Sequence, residues 1–159
     1  GVAVVSHWEK PPGRPAGSHL FQVQAKKCWY GHIPKGEFVG PEGCGPCVGL
    51  VLIPKKPGDP TFVFHYSMFD QVFGSLEQAQ FLQNGRPRPG YSAVLCGCDL
   101  NDSGVEAALH TLSDTVTMLK FQGIPIKCYV AGPGFAVDDR GTIYWTTPAT
   151  LGLGGYGKK

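Results

Sequence analysis

Apolar residues recur along this chain in two rhythms. Short runs bounded by glycine, proline or charged residues read as strands: Leu20 to Ala25, Val48 to Ile53, Thr61 to Tyr66, Tyr91 to Gly97, Ile126 to Ala131 and Thr142 to Thr147. Further on, Val105, Ala108, Leu109, Leu112, Val116 and Leu119 repeat at steps of three and four, which predicts a long helix. Asn101, Asp102 or Ser103 can cap its start, and Gly123 stops it. A shorter helix from Ser75 to about Gln83 would place Leu76, Ala79, Phe81 and Leu82 on its apolar side. Val137-Asp138-Asp139-Arg140-Gly141 predicts a hairpin turn. There is no internal repeat and no heptad pattern.

One long and one short helix laid on a mostly antiparallel set of strands, with few β-α-β alternations, predict an α+β fold of layered β-sheets. The N-terminal strands can form a second sheet layer. The chain of 159 residues fits one domain, and 42% hydrophobic against 16% charged residues is a globular composition. The expected division is an N-terminal arm or linker at 1–19, a catalytic domain at 20–150 and a loose C-terminal tail at 151–159. The proline-rich stretch from Pro11 to Ser18 looks like the linker side of a domain cut from a longer protein. A net charge of +2 without a Lys/Arg cluster argues against nucleic acid. No apolar run is long enough to span a bilayer, so a soluble domain with no membrane insertion is expected.

The candidate chemistry lies in Gly43-Cys44-Gly45-Pro46-Cys47-Val48-Gly49, which runs into the apolar stretch ending at Ile53, and in Phe64-His65-Tyr66 on the next run. A glycine-rich turn places Cys47 at the head of one strand, and a short return through Pro54 to Pro60 brings His65 beside it. An ordinary thiol is mostly protonated at neutral pH, so a nucleophilic cysteine needs such a base. Gly45, Pro46 and Gly49 form the expected oxyanion or substrate loop, where glycine lets the backbone approach a substrate. On spacing alone, a small core cysteine and a satisfied strand histidine explain the same residues equally well.

These features, in this order, resemble the CheD chemotaxis deamidases and, more distantly, the catalytic domains of cytotoxic necrotizing factor and related bacterial lethal factors. The glycine-flanked turn ending at Cys47 resembles the family's nucleophile turn, and Phe64-His65-Tyr66 its histidine segment. Tyr91 to Gly97, Gly123-Ile124-Pro125-Ile126 and Gly132-Pro133-Gly134 with Arg140 resemble the later family segments. The similarity covers roughly residues 36 to 147, as order and spacing. It implies an α/β/β sandwich and a cofactor-free, metal-free protein glutamine deamidase acting on a protein with an exposed glutamine. Cys47 would attack the side-chain amide, His65 would protonate the departing ammonia, and water would release glutamate. With an amine in place of water the product would be a transglutaminated protein.

Because the chain looks cut from a longer protein and shows no regulatory partner motif, a bacterial effector or toxin domain is expected, secreted or translocated into a target cell as part of a larger protein, or else cytoplasmic. The family's threonine that orients the histidine is replaced here by Pro41. A main-chain carbonyl takes that third role in the necrotizing factors, and the carbonyl of Pro41 is the expected candidate.

Three other readings stand beside this one. A noncatalytic binding or regulatory module could use the same scaffold. Cys44-Gly45-Pro46-Cys47 spells a thioredoxin-type dithiol, but that chemistry needs a helix after the nucleophile, and a strand is expected. Cys44 and Cys47 with Cys96 and Cys98 could bind zinc, although the second spacing is tight. Six cysteines could also pair as disulfides; thiols are expected, with a reversible Cys44–Cys47 bond as a redox control.

Overall fold

The computed structural model describes residues 8–9, 12–15, 18–41, 43–44, 47–97, 105–130 and 134–145. Their strands are β1 (Trp8–Glu9), β2 (His19–Val23), β3 (Lys27–Gly31), β4 (Glu37–Pro41), β5 (Val48–Pro54), β6 (Thr61–Tyr66), β7 (Leu82–Gln83), β8 (Arg86–Pro87), β9 (Tyr91–Gly97), β10 (Ile126–Val130), β11 (Phe135–Val137) and β12 (Ile143–Trp145). Helix α1 (Phe69–Gln78) follows β6, and α2 (Val105–Phe121) follows β9. A six-stranded sheet runs β1-β10-β9-β5-β6-β3, a four-stranded sheet runs β12-β11-β4-β2, and β7 pairs with β8. The pairs β1–β10, β10–β9 and β2–β4 are parallel; the others are antiparallel. The fold is α+β and rich in strand.

The central strands β5 and β6 are buried on both faces, which is why their sequences read as unbroken apolar runs. Side chains alternate across the sheet. Leu50, Leu52, Phe62, Phe64 and Leu95 pack under α1 and α2 against Leu76, Leu112 and Leu119. On the opposite face Val51, Val63, Val94 and Val130 meet Val23, Val39, Phe135 and Val137 of the second sheet. The expected second layer thus contains β2 and β4, closed by β11 and β12.

Several boundaries agree with the apolar pattern. Strands β6 and β9 begin and end where expected, and α2 stops at Gly123 by a defined device. Gly123 takes a φ of 74°, its N–H donates to the Lys120 carbonyl, and the N–H of Ile124 donates to that of Leu119. Those paired bonds satisfy the last carbonyls, and Leu119 and Ile124 are buried in one core. The expected caps at 101–103 and tail at 151–159 lie outside the described residues, as does part of the strand expected at 142–147. Strand β1 falls within the stretch read as an arm.

The short helix differs from expectation. It spans Phe69–Gln78 rather than Ser75 to about Gln83. Gln71 fixes its start by accepting from the N–H groups of Ser67 and Met68 through Oε1. Its end repeats the α2 device with Gln80 at φ 61° in place of glycine; Phe81 N–H then reaches the Leu76 carbonyl. Phe81 and Leu82 are buried because the chain turns back, not because the helix continues. Gln80→Gly is expected to stabilise the fold by about 1 kcal/mol in urea unfolding, since glycine bears the left-handed conformation without steric cost.

Tyr91 closes the far end of β9 by donating to the Pro60 carbonyl at 2.6 Å. Burial first, and the Asp59 charge second, push its ionisation up to about 12 against an ordinary value of 10.0. A phenol whose pKa rises on folding stabilises the native state fully below its unfolded value, and that contribution is lost as pH rises toward the folded one. Tyr91→Phe is therefore expected to flatten the loss of stability between about pH 10 and 12, read from urea melts.

Candidate active site

Cys47 and His65 are placed by the register of β5 against β6. Gly49 pairs with His65, and Cys47 stands two residues earlier. Odd-numbered positions of both segments face the second sheet: Cys47 packs on that core, and His65 follows Val63 there by alternation. By continuation of that register Cys47, one residue outside β5, is the diagonal neighbour of His65, a relation that corresponds to a backbone separation of about 7–8 Å. Cys47 is half-buried, whereas His65 is only 3% exposed.

The imidazole is held from behind. His65 Nδ1 lies 2.9 Å from the carbonyl oxygen of Val23 on β2. A carbonyl only accepts, so Nδ1 carries the proton and donates it, leaving Nε2 as the basic nitrogen of the neutral ring. The backbone of His65 is gripped by the same segment: its carbonyl accepts from Lys26 N–H at 2.7 Å, and Lys27 pairs with it in the sheet. That segment turns through a bond from Lys27 N–H to the Gln24 carbonyl, with Lys26 at φ 67°. A non-glycine residue in this conformation is costly and persists where surrounding bonds fix it.

The acceptor at Nδ1 is thus Val23 rather than Pro41. The two strands explain the difference: Val23 and Pro41 are register partners in the parallel β2–β4 pair, and Val23 lies on the edge strand toward His65. Pro41 contributes its ring instead. A Cβ on Gly49 would stand 2.6 Å from Pro41 Cγ and 2.8 Å from Cys96 Sγ, so only glycine fits at position 49. Gly49 is buried beneath Pro41, and its missing side chain serves this close packing rather than an open substrate loop. Gly45 and Pro46 lie outside the described residues. A main-chain acceptor leaves no mark in a sequence, because every residue offers a carbonyl; only the packing of β2 against β6 singles out Val23.

The competing cysteine readings can be set against the same geometry. Cys47 leads into strand β5, so no helix follows it to lower a thioredoxin-type thiol pKa. Among the described residues no group of three or more His, Cys, Asp or Glu side chains is arranged to hold a metal ion, and Cys98 lies outside them. Cys28, on β3, has its thiol pushed up by burial, which disfavours its thiolate at neutral pH. His19 pairs with Glu37 at 3.2 Å, and His32 Nε2 meets the Gly58 carbonyl at 2.9 Å. His110 is exposed on α2.

A cavity of about 210 Å³ is lined in part by Phe21, Val23, Lys27, Cys28 and Trp29. A larger one, about 400 Å³, is lined in part by His32, Ile53, Lys55, Asp59 and Arg140 at the opposite end of β5 from Cys47. Neither of these two cavities is lined by Cys47 or His65. Among the described residues no helix is long and apolar enough to cross a membrane.

Comparison with known proteins returns no matching family model and no matching curated sequence.

Proposed function

We propose that this chain is a cysteine-dependent protein glutamine deamidase. One observation carries the reading: His65 Nδ1 lies 2.9 Å from the Val23 carbonyl, an acceptor that assigns the proton to Nδ1 and leaves Nε2 as the basic nitrogen, while strand alternation puts the ring on the sheet face of Cys47. Nε2 takes the thiol proton, and Cys47 Sγ attacks the carbon of a glutamine side-chain amide. The tetrahedral adduct collapses as the same imidazole delivers that proton to the leaving nitrogen, releasing ammonia and leaving a thioester on Cys47. Water then gives a proton to Nε2 and adds to the thioester carbon. Collapse expels the thiolate, which recovers the proton, and leaves glutamate. The sum is amide plus water to acid plus ammonia, with no redox partner. An amine in place of water would instead cross-link the glutamine.

Gly45 and Pro46, outside the described residues, are retained from the sequence as the loop expected to meet the substrate; Pro46 has no N–H, so an oxyanion donor there would have to be another main-chain N–H. Support for the CheD-like and necrotizing-factor-like assignment comes from the order of segments in the sequence together with helices on one face of the main sheet and a second sheet on the other. On that assignment the chain is a bacterial effector or toxin domain whose partner is a protein with an exposed glutamine. The test is to incubate the protein with a cell lysate and search its peptides by mass spectrometry for glutamines converted to glutamates. Conversion is expected at a small set of sites; a lysate unchanged across host sources would remove the assignment.

A further inference from the structure

A nucleophile just outside a strand needs its main chain fixed by something other than the sheet ladder. Cys47 precedes β5, whose first residue, Val48, pairs with Gly97 at the end of β9. The Cys47 carbonyl lies directly against the Gly97 α-carbon: a Cβ placed there would stand 2.4 Å from that oxygen and 3.2 Å from Val48 Cα. Gly97 also has a φ of 132°, a conformation that side chains rarely adopt. Both constraints demand glycine. The carbonyl of Gly97 in turn accepts a hydrogen bond from the hydroxyl of Tyr129, which is 1% exposed and fixed in the helix-side core. Tyr129 is paired with Leu95 on the neighbouring strand, so its ring reaches along β9 to the last carbonyl.

We infer that Gly97 and Tyr129 are positioning residues for Cys47, acting through its main chain and without touching the substrate. This rests on the deamidase reading for its functional consequence, but the positioning can be measured without a substrate. A methyl at position 97 forces the residue 97 backbone and the Cys47 carbonyl apart by roughly half an ångström or more, because real Cβ contacts do not fall below 3.0 Å. Misplacement of about 1 Å costs on the order of 100-fold in a reaction that depends on alignment. Loss of the Tyr129 hydroxyl leaves the Gly97 carbonyl without its buried donor and frees the strand end to move.

The experiment uses the full chain carrying Gly97→Ala or Tyr129→Phe, with Val116→Ala as a control that loosens the same helix-side core away from Cys47. Each folded protein is labelled with iodoacetamide at pH 7, and the rates at the Cys47 and Cys28 peptides are compared by mass spectrometry. Thiolate at Cys47 depends on its setting beside His65, so its rate relative to Cys28 is expected to fall about tenfold in Gly97→Ala and about threefold in Tyr129→Phe. Val116→Ala should lower the melting temperature with no change in that ratio. If Gly97→Ala does not fold, Tyr129→Phe decides. A ratio within the error of wild type in the folded variants, or an equal fall in Val116→Ala, overturns the inference. Should the ratio move in a protein that converts no glutamine, the positioning stands and the deamidase reading fails; conversion with an unmoved ratio has the opposite meaning.

Discussion

Cys47→Ser is expected to lower glutamine conversion by at least about 1,000-fold while leaving urea unfolding within about 0.5 kcal/mol of wild type. The effect is large because a serine hydroxyl is a far weaker acid than a thiol and a single imidazole with a carbonyl behind it lacks the carboxylate that assists serine nucleophiles. The small structural effect follows from position: Cys47 is half-buried at the edge of its core, and oxygen for sulfur removes little packing there. Retention of full conversion in the variant would exclude Cys47 as the nucleophile. A wild-type protein with nothing to lose would return the noncatalytic module as the better account.

The second large effect belongs to His65, where chemistry and structure can be separated. His65→Asn keeps a side-chain N–H that can donate to the Val23 carbonyl but removes the basic nitrogen. Conversion is expected to fall by about 100- to 10,000-fold, the usual contribution of a positioned acid–base group. His65→Ala should lose the same activity and, in addition, destabilise the fold by about 1 kcal/mol or more, because the Val23 carbonyl then loses its donor. Urea unfolding and the lysate assay on both variants read the two effects apart. Asparagine that preserves turnover would contradict a base role for this histidine, and an alanine variant as stable as wild type would contradict the grip from Val23.

Much of what places Cys47 and His65 together can be read from the chain. Two runs buried on both faces, joined by a turn-rich loop, dictate adjacent strands, and their alternation puts residues 47 and 65 on one side. Gly123 announces the end of α2 because glycine is the usual residue for that conformation. Gln80 performs the same task silently, so the short helix ends sooner than its apolar spacing suggests. Strands β3 and β4 escape the apolar pattern for a related reason: Lys27–Gly31 shows no clean alternation, and Glu37–Pro41 closes on Gly40 and Pro41, residues that usually end strands.

The supports of the site were less legible still. Val23 acts through a carbonyl and Tyr129 through a hydroxyl on a distant strand, and neither residue type signals such a role. Gly49 and Gly97 both stand out as glycines, yet one makes room for Pro41 and Cys96 and the other for the Cys47 main chain. Only the stacking of the two sheets and the register of β5 against β9 distinguish those uses from an open substrate loop.

The most direct test runs the lysate reaction in heavy-oxygen water with wild-type and Cys47→Ser protein side by side. Hydrolysis of a thioester on Cys47 is expected to leave glutamates that each carry one heavy oxygen, at sites absent from the serine reaction. Glutamates formed equally by both proteins, or none formed by either, would contradict a thiol nucleophile at position 47.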